Sequence, residues 1–412
     1  MNILFLTIGE AEAIENKGIE AKGVYTDLLR KFRDEGHNVF IVCSREKRTG
    51  KPTAYDSIDG VNVLRVRTGN LTQCGLIEKG ISTVCIESRY KAAIKKYMRG
   101  VKFDMVLYST PPITFVNVVK YIKKRDKAYT YLLLKDIFPQ NAVDLGMLKK
   151  SGIKGIIYSF FRAKEKKLYA VSDKIGCMSP ANCAYVAEHN PGVDRTKIEV
   201  SPNTLEPCDM RKTSEEKTRI RIKYGIPTDR KVLIYGGNLG KPQGIPQMLE
   251  CLKTRTGRNE FYVIVGSGTD ANLIEKNISE CAPDNIRYIR QLPRDEYEEL
   301  SSACDAGLIF LDPRFTIPNF PSRILSYMQS GLPVIACTDR NTDIGKTAQD
   351  NGFGFSCFSS EPESFSAAVD LLLESNIEEM GNTAFSYLQD IYSADESYKI
   401  IISAFSERLS DL

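Results

Sequence analysis

Pro318-Asn319-Phe320-Pro321-Ser322-Arg323-Ile324-Leu325-Ser326-Tyr327-Met328-Gln329-Ser330-Gly331-Leu332-Pro333-Val334-Ile335 reads as a loop, a helix start able to receive an anion, and a buried strand. Pro321 suits a position just before or inside a first helical turn, and Ser322 suits the cap. The unpaired N–H groups beyond it would meet a ligand with the positive helix end behind them. Arg323 adds a fixed charge there. Ile324, Leu325 and Met328 share one helical face, Gly331 suits the position just past the helix, and Pro333-Val334-Ile335-Ala336 reads as a central parallel strand. A crossover helix that binds nothing would show the same pattern, so the rest of the chain has to decide.

Upstream, Lys231-Val232-Leu233-Ile234-Tyr235-Gly236-Gly237-Asn238-Leu239-Gly240 is an apolar strand running into a glycine-rich turn, followed by a helix from Pro246 to Lys253. Phe261-Tyr262-Val263-Ile264-Val265-Gly266-Ser267-Gly268 repeats the plan, and Ala306 to Leu311 reads as another strand. Glycines after strands allow a ligand close approach, and helix starts behind them favour anions. The turn at Gly236 lacks the spacing and acidic partner of a dinucleotide fingerprint. Taken with Gly266, Gly268 and the Ser322 helix start, it points to a nucleoside diphosphate site in this half. The candidate contacts are Gly237, Asn238, Gly240, Gly266, Gly268, Pro321, Ser322 and Arg323.

The first half alternates in the same way. Ile3 to Thr7 reads as a strand, Gly9 to Gly23 as a loop, Val24 to Glu35 as a helix and His37 to Cys43 as a second strand. Further strands are expected at 61–66, 105–108, 128–134, 174–178 and 198–200. A polar, proline-containing stretch from about Ser201 to Arg230 places a linker near its beginning. Alternation of this kind predicts α/β architecture, with two Rossmann-like, doubly wound domains facing a cleft.

Composition narrows the class. At 412 residues the chain is too long for one compact core. With 42% hydrophobic and 26% charged residues it has a globular composition, and no run approaches the roughly 20 apolar residues of a membrane span. The N-terminal apolar run has the length of a strand and lacks the basic start of a signal peptide. Eleven cysteines without a Cys-x-x-Cys pair, and only His37 and His189 to join them, predict reduced thiols and no metal site. His37 is expected to be a structural turn residue, and His189 is given no role. A net charge of +4 does not argue for nucleic acid. Basic residues cluster at 91–102 and 149–167, the latter around Ile156, Ile157, Phe160 and Phe161. Basic residues beside an exposed aromatic face would suit an anionic membrane. The pattern favours the alternative, a solvated helix face with its aromatics in the core.

These residues together resemble the GT-B glycosyltransferases, specifically the retaining family four and its branch that builds bacterial surface polysaccharides such as capsule and O-antigen. In the first half the resemblance rests on Gly23-Val24-Tyr25-Thr26-Asp27-Leu28-Leu29-Arg30, Glu35-Gly36-His37-Asn38-Val39, Asp104 to Pro112 and Lys135-Asp136-Ile137-Phe138-Pro139. In the second half it rests on Tyr235 to Gly240, the Gly266 turn and Pro321-Ser322-Arg323 leading to Gly331-Leu332-Pro333-Val334-Ile335-Ala336. It implies an acceptor-binding domain at 1–204, a nucleotide-sugar-binding domain at 205–385, and a terminal segment, 386–412, crossing back to the first domain. Many relatives carry two glutamates with seven residues between them near the ligand helix. Aligned on Gly331, those positions here are Pro318 and Ser326, and a residue that is often basic is Gln243.

The resemblance further implies transfer of a sugar, with retention, from a nucleoside diphosphate sugar, UDP foremost, to a hydroxyl of a saccharide or lipid-linked saccharide. Lys241 and Arg323 would stabilise the leaving diphosphate without a metal or other cofactor. Asp136 would orient the acceptor or sugar or act as a local base, unless it serves only as a helix cap or turn residue, and Glu10 is a further candidate contact. The expected location is cytoplasmic, with peripheral membrane contact at the inner face. A nucleotide-sugar epimerase or a non-catalytic binding subunit would use the same architecture.

Overall fold

Strand-forming runs that are apolar at nearly every position need cover on both faces, and they sort into two sheets. The computed structural model describes residues 1–72 and 74–410. They divide into two compact units, Met1–Glu206 with Ser393–Leu412, and Pro207–Tyr392.

The first unit is built on eight strands: β1 (Asn2–Leu6), β2 (Asn38–Glu46), β3 (Ala54–Ile58), β4 (Val61–Thr68), β5 (Met105–Ser109), β6 (Tyr129–Leu134), β7 (Lys174–Cys177) and β8 (Ile198–Val200). Their order is β3-β4-β2-β1-β5-β6-β7-β8. All neighbours are parallel except β3, an antiparallel edge hairpin on β4 that the sequence reading does not contain. Ile3 stands opposite Val39 on one side and Met105 on the other. The expected loop from Gly9 to Gly23 instead contains the helix Ala11–Lys17 and a 3-10 turn, Gly18–Glu20. Burial of Ile14 and Ile19 drives this folding, and the Asp59 carboxylate accepts the Ile19 N–H at 3.2 Å.

The helix Ala394–Ser410 belongs to this first unit. It returns beside Leu205, whose carbonyl accepts the Ala394 N–H at 2.9 Å, and lies on the helix Val24–Asp34. Tyr398 packs edge-on against Phe32 and meets His37 Nε2 at 3.1 Å, so His37 sits in a packing contact. The divisions fall at 206/207 and 392/393 rather than at 204/205 and 385/386, because the helix Ile377–Ile391 runs unbroken through 385 within the second unit. Residues 411 and 412 lie outside the described residues.

The second unit contains β9 (Val232–Gly236), β10 (Phe261–Val265), β11 (Ile286–Ile289), β12 (Ala306–Phe310), β13 (Val334–Thr338) and β14 (Gly354–Phe358). The order is β11-β10-β9-β12-β13-β14 with every pair parallel. Chain direction across the sheet reverses between β9 and β12, which is where ligands bind in open parallel sheets, beyond the carboxyl ends of the strands. The polar stretch after residue 206 supplies the helix Ser214–Lys223, started by a reciprocal capping box between Thr213 and Glu216. Its Arg221 is buried and pairs with Asp305 at 2.7 Å.

The helix Gly152–Val171 overturns one expectation. Its Ile153, Ile156, Ile157 and Phe160 are exposed rather than in the core, and the positions it buries are Gly155, Glu165, Leu168 and Tyr169. Among the described residues no helix is long and apolar enough to cross a membrane, and no cluster of side chains forms a metal site.

Candidate active site

The switch point of the second unit is organised around two glycines and one arginine. β9 ends at Gly236, whose missing side chain leaves room for the Tyr297 hydroxyl, 2.0 Å from where a Cβ would stand. The Tyr327 hydroxyl accepts the Gly236 N–H at 3.1 Å and donates to the Leu308 carbonyl at 3.1 Å. Gly237 follows with φ +129°, and the Arg323 guanidinium lies 3.4 Å from its absent Cβ. A side chain here would be strained and would press on that guanidinium.

Arg323 arrives from the segment after β12. It is held on two sides: Nη2 donates to Gln243 Oε1 at 2.6 Å, and Cζ lies 4.5 Å from the centre of the Tyr235 ring. Tyr235 is itself fixed by donating to the Asn238 carbonyl at 3.0 Å. Of the other two guanidinium nitrogens, Nη1 is shielded from solvent and makes no hydrogen bond among the described residues. A charged donor held on an aromatic face with one nitrogen unused can receive an anion. Lys241 lies on the same loop, two residues before Gln243, exposed and in no ion pair among the described residues.

The other glycines are used for packing. At Gly266, with φ +156°, a Cβ would stand 1.9 Å from the Gly237 carbonyl oxygen; at Gly268 it would stand 2.4 Å from the Leu239 backbone. The turns after β9 and β10 are zipped together by Gly237 N–H to Val265 O and Leu239 N–H to Ser267 O, both 2.9 Å. Gly240 faces the side chain of Asn238, and Gly244, with φ +60°, lets Asp312 approach. The space beside Gly266 and Gly268 is thus filled by the first turn, which these glycines hold in position.

The helix anticipated at Pro321 starts at Arg323 and runs only to Gln329. Pro321 precedes it, as read from the sequence. Ser322 does not cap it: its backbone is already helical, with φ −64° and ψ −12°, and its side chain makes no capping bond. A capping serine needs extended backbone angles to aim its oxygen at the following N–H groups. Gly331, with φ +62°, closes the other end, with Gly331 N–H to Met328 O and Leu332 N–H to Tyr327 O both at 3.0 Å. The loop before the helix is fastened to the loop after β13. Asn319 N–H donates to Thr342 Oγ1 and Asn341 Nδ2 to Phe315 O, while the buried Asp339 carboxylate gathers Asn341 and Thr342. Neither Pro318 nor Ser326 carries the charge of the glutamates found in relatives, and the nearby fixed acid, Asp312, is bound to Arg314 at 2.6 Å.

In the first unit, β6 runs into Lys135 and Asp136. Thr110 Oγ1, from the turn after β5, accepts both of their backbone N–H groups, at 3.0 and 3.3 Å. The Asp136 carboxylate accepts two contacts of 2.8 Å from Asn141 Nδ2 and caps no helix, since the next helix, Gln140–Asp144, begins behind Pro139. Burial pushes the Asp136 carboxyl up to about 6, against the pull of the Ile137 N–H and Asn141. Burial likewise brings the Lys135 ammonium down to about 7; its Nζ donates to the Ser201 and Pro202 carbonyls at 3.0 Å. The two side chains form no ion pair with each other among the described residues. Glu10 adopts a left-handed conformation, φ +70°, and burial, followed by the Asp27 carboxylate, raises its pKa.

Sequence reasoning thus singled out Arg323 and Asp136 as candidates but missed what holds Arg323: Gln243 and Tyr235. The available signal was Tyr235 immediately before the two glycines. Gln243 gave none, because a glutamine replacing a charge reads as a loss when it can equally be an acceptor for a charge elsewhere.

Residues 216–384 match the family described as Glycosyl transferases group 1. Over 320 residues, 77% of this chain and 78% of the other, the protein is 23% identical to the probable glycosyltransferase WbjE of Pseudomonas aeruginosa. It is 21% identical to the putative colanic acid biosynthesis glycosyl transferase WcaI of Escherichia coli strain K12, over 65% of each chain. The Anabaena HepE structure in complex with UDP and glucose superposes on the whole of both chains with a TM-score of 0.69 at 14% identity. Residues 216–384 are therefore a group 1 glycosyl transferase domain, and the chain that carries it is a glycosyltransferase with the two Rossmann-like units of the GT-B fold.

Proposed function

We propose that this glycosyltransferase moves a sugar from a nucleoside diphosphate sugar, a UDP-sugar in the first instance, to a hydroxyl of a lipid-linked saccharide in bacterial surface polysaccharide synthesis, with retention. The observation that carries the reading is Arg323, held by Gln243 and Tyr235 with Nη1 free at the switch point of the second unit. The diphosphate lies against this guanidinium and the turn from Gly237 to Gly240, with Lys241 and the backbone at Pro321 and Ser322 completing its surroundings. UDP is preferred because HepE, which shares the fold, was solved with UDP and glucose. The polysaccharide assignment leans on the colanic acid role named for WcaI.

When the anomeric C–O bond breaks, the electron pair leaves with the β-phosphate, and Arg323 and Lys241 meet the growing charge without a metal. The acceptor oxygen bonds the anomeric carbon on the face the phosphate leaves, and its proton passes to a departing phosphate oxygen. Asp136, with its carboxyl poised near neutrality, orients the acceptor hydroxyl and can take its proton instead. The protein works in the cytoplasm, in peripheral contact with the anionic inner face of the membrane. The test is incubation with UDP- and GDP-sugars and membrane-extracted lipid acceptors, followed by NMR of the product linkage. One donor is expected to react and keep its anomeric configuration; an inverted product, or epimerised donor without transfer, would overturn the reading.

A further inference from the structure

The helix Gly152–Val171 carries apolar residues at Ile153, Ile156, Ile157 and Phe160, the spacing of a single helical stripe. On an ordinary surface helix that stripe is the buried face. Here it points outward: Ile153 is 82% and Ile156 71% exposed, and Met147 just before the helix is also exposed. Only Gly155 of the first two turns is buried, and its Cβ position lies 2.9 Å from the Lys150 carbonyl, so the helix leans on its own preceding loop. Exposed apolar side chains clustered in this way mark a surface that meets something.

Charge says what it meets. From Leu145 to Lys164 the chain contains no Asp or Glu, yet it carries Lys149, Lys150, Lys154, Arg162 and Lys164. The three lysines beside the stripe are exposed and in no ion pair among the described residues. The nearest acid on the helix, Glu165, is buried and bound to Arg162 and Tyr169. A protein partner of ordinary composition would bring mixed charge; an apolar stripe with three exposed lysines beside it is complementary to an anionic bilayer, whose surface attracts the cations while its acyl boundary receives the apolar side chains.

The surface also joins the site. Phe160 contacts Phe161 with ring centres 5.3 Å apart, and Phe161 contacts Phe138 at 5.0 Å. Phe138 lies two residues beyond Asp136. This aromatic series runs from the exposed stripe to the segment that carries Asp136, within one unit.

We infer that Met147 to Phe160 is a docking surface for an anionic lipid bilayer, and that the track Phe160–Phe161–Phe138 guides the apolar part of a lipid-linked acceptor toward Asp136. The second half of this inference rests on the acceptor being lipid-linked.

Flotation of the full chain with phosphatidylcholine vesicles, with and without about one third phosphatidylglycerol, tests it. Wild type should co-migrate with the anionic vesicles at low salt and be released as salt rises. The double variant Ile153→Ser/Ile156→Ser and the triple variant Lys149→Gln/Lys150→Gln/Lys154→Gln should each partition about tenfold more weakly. Both should keep wild-type unfolding temperatures and UDP-induced shifts, since the altered groups are exposed and lie in the first unit. Failure of wild type to float, equal flotation of the variants, or stripe-dependent self-association without vesicles would overturn the docking surface while leaving the transferase reading intact. Normal flotation with no nucleotide-induced shift would have the opposite meaning. For the track, Phe160→Ser should raise KM for a long-chain lipid acceptor and leave KM for a short-chain one unchanged; equal effects on both would remove it.

Discussion

The turn after β9 and the turn after β6 both lie at the carboxyl end of a parallel strand, and they manage charge in opposite ways. In the second unit Arg323 keeps its charge under all ordinary conditions, because a guanidinium is delocalised, is held by Gln243 and lies on an aromatic face. In the first unit burial moves both members of the Lys135–Asp136 pair toward neutrality, to about 7 and about 6. A fixed cation suits a phosphate that gains charge as a bond breaks. A carboxyl that titrates near neutrality suits the exchange or direction of a proton. The same fold thus supplies two different electrostatic devices, and what separates them is the buried group itself: a guanidinium stays charged, while burial shifts a carboxyl and an ammonium toward their neutral forms.

The sharpest way to break this contrast is Arg323→Ala, expected to lower transfer about a hundredfold to a thousandfold through donor and transition-state binding, with Arg323→Lys recovering part of it. Asp136→Asn should lower kcat about a hundredfold and leave donor affinity unchanged; a matching loss of donor binding would erase the distinction between the turns. The pH profile sharpens it further. Asp136 must lose its proton to act as a base, so kcat/KM should climb by up to about tenfold per pH unit below 6 and level off above, and Asp136→Asn should flatten that limb. Gly266→Ala tests the packing role of the second turn. It forces a methyl onto the Gly237 carbonyl and should cost on the order of 1–3 kcal/mol in denaturant unfolding. Gln243→Ala, which removes one hydrogen bond from Arg323, should weaken donor binding about fivefold.

The parallel sheets and the two-unit plan were legible because buried parallel strands such as Phe261–Val265 are apolar at every position, whereas the order of the strands in each sheet was not. Arg323 was legible from its place before an apolar helix and a strand. Its supports were not, since Gln243 and Tyr235 act through distances of 2.6 and 4.5 Å that exist only once the turn has folded. Ser322 misled because residue type suggests a cap while backbone angles decide it. The stripe at Ile153 to Phe160 misled for a related reason. Its periodicity equals that of Leu28, Leu29 and Phe32 on the helix Val24–Asp34, which are buried. Periodicity shows that one helical face is apolar, but the neighbouring elements determine whether protein covers it.

The most direct measurement is the unfolding temperature of wild type, Arg323→Ala and Asp136→Asn against UDP, since a ligand that binds only the folded protein must stabilise it. UDP should raise wild type and Asp136→Asn alike and Arg323→Ala far less. No shift in wild type, or a shift lost with Asp136 and kept without Arg323, would contradict the assignment of the diphosphate to the turn after β9.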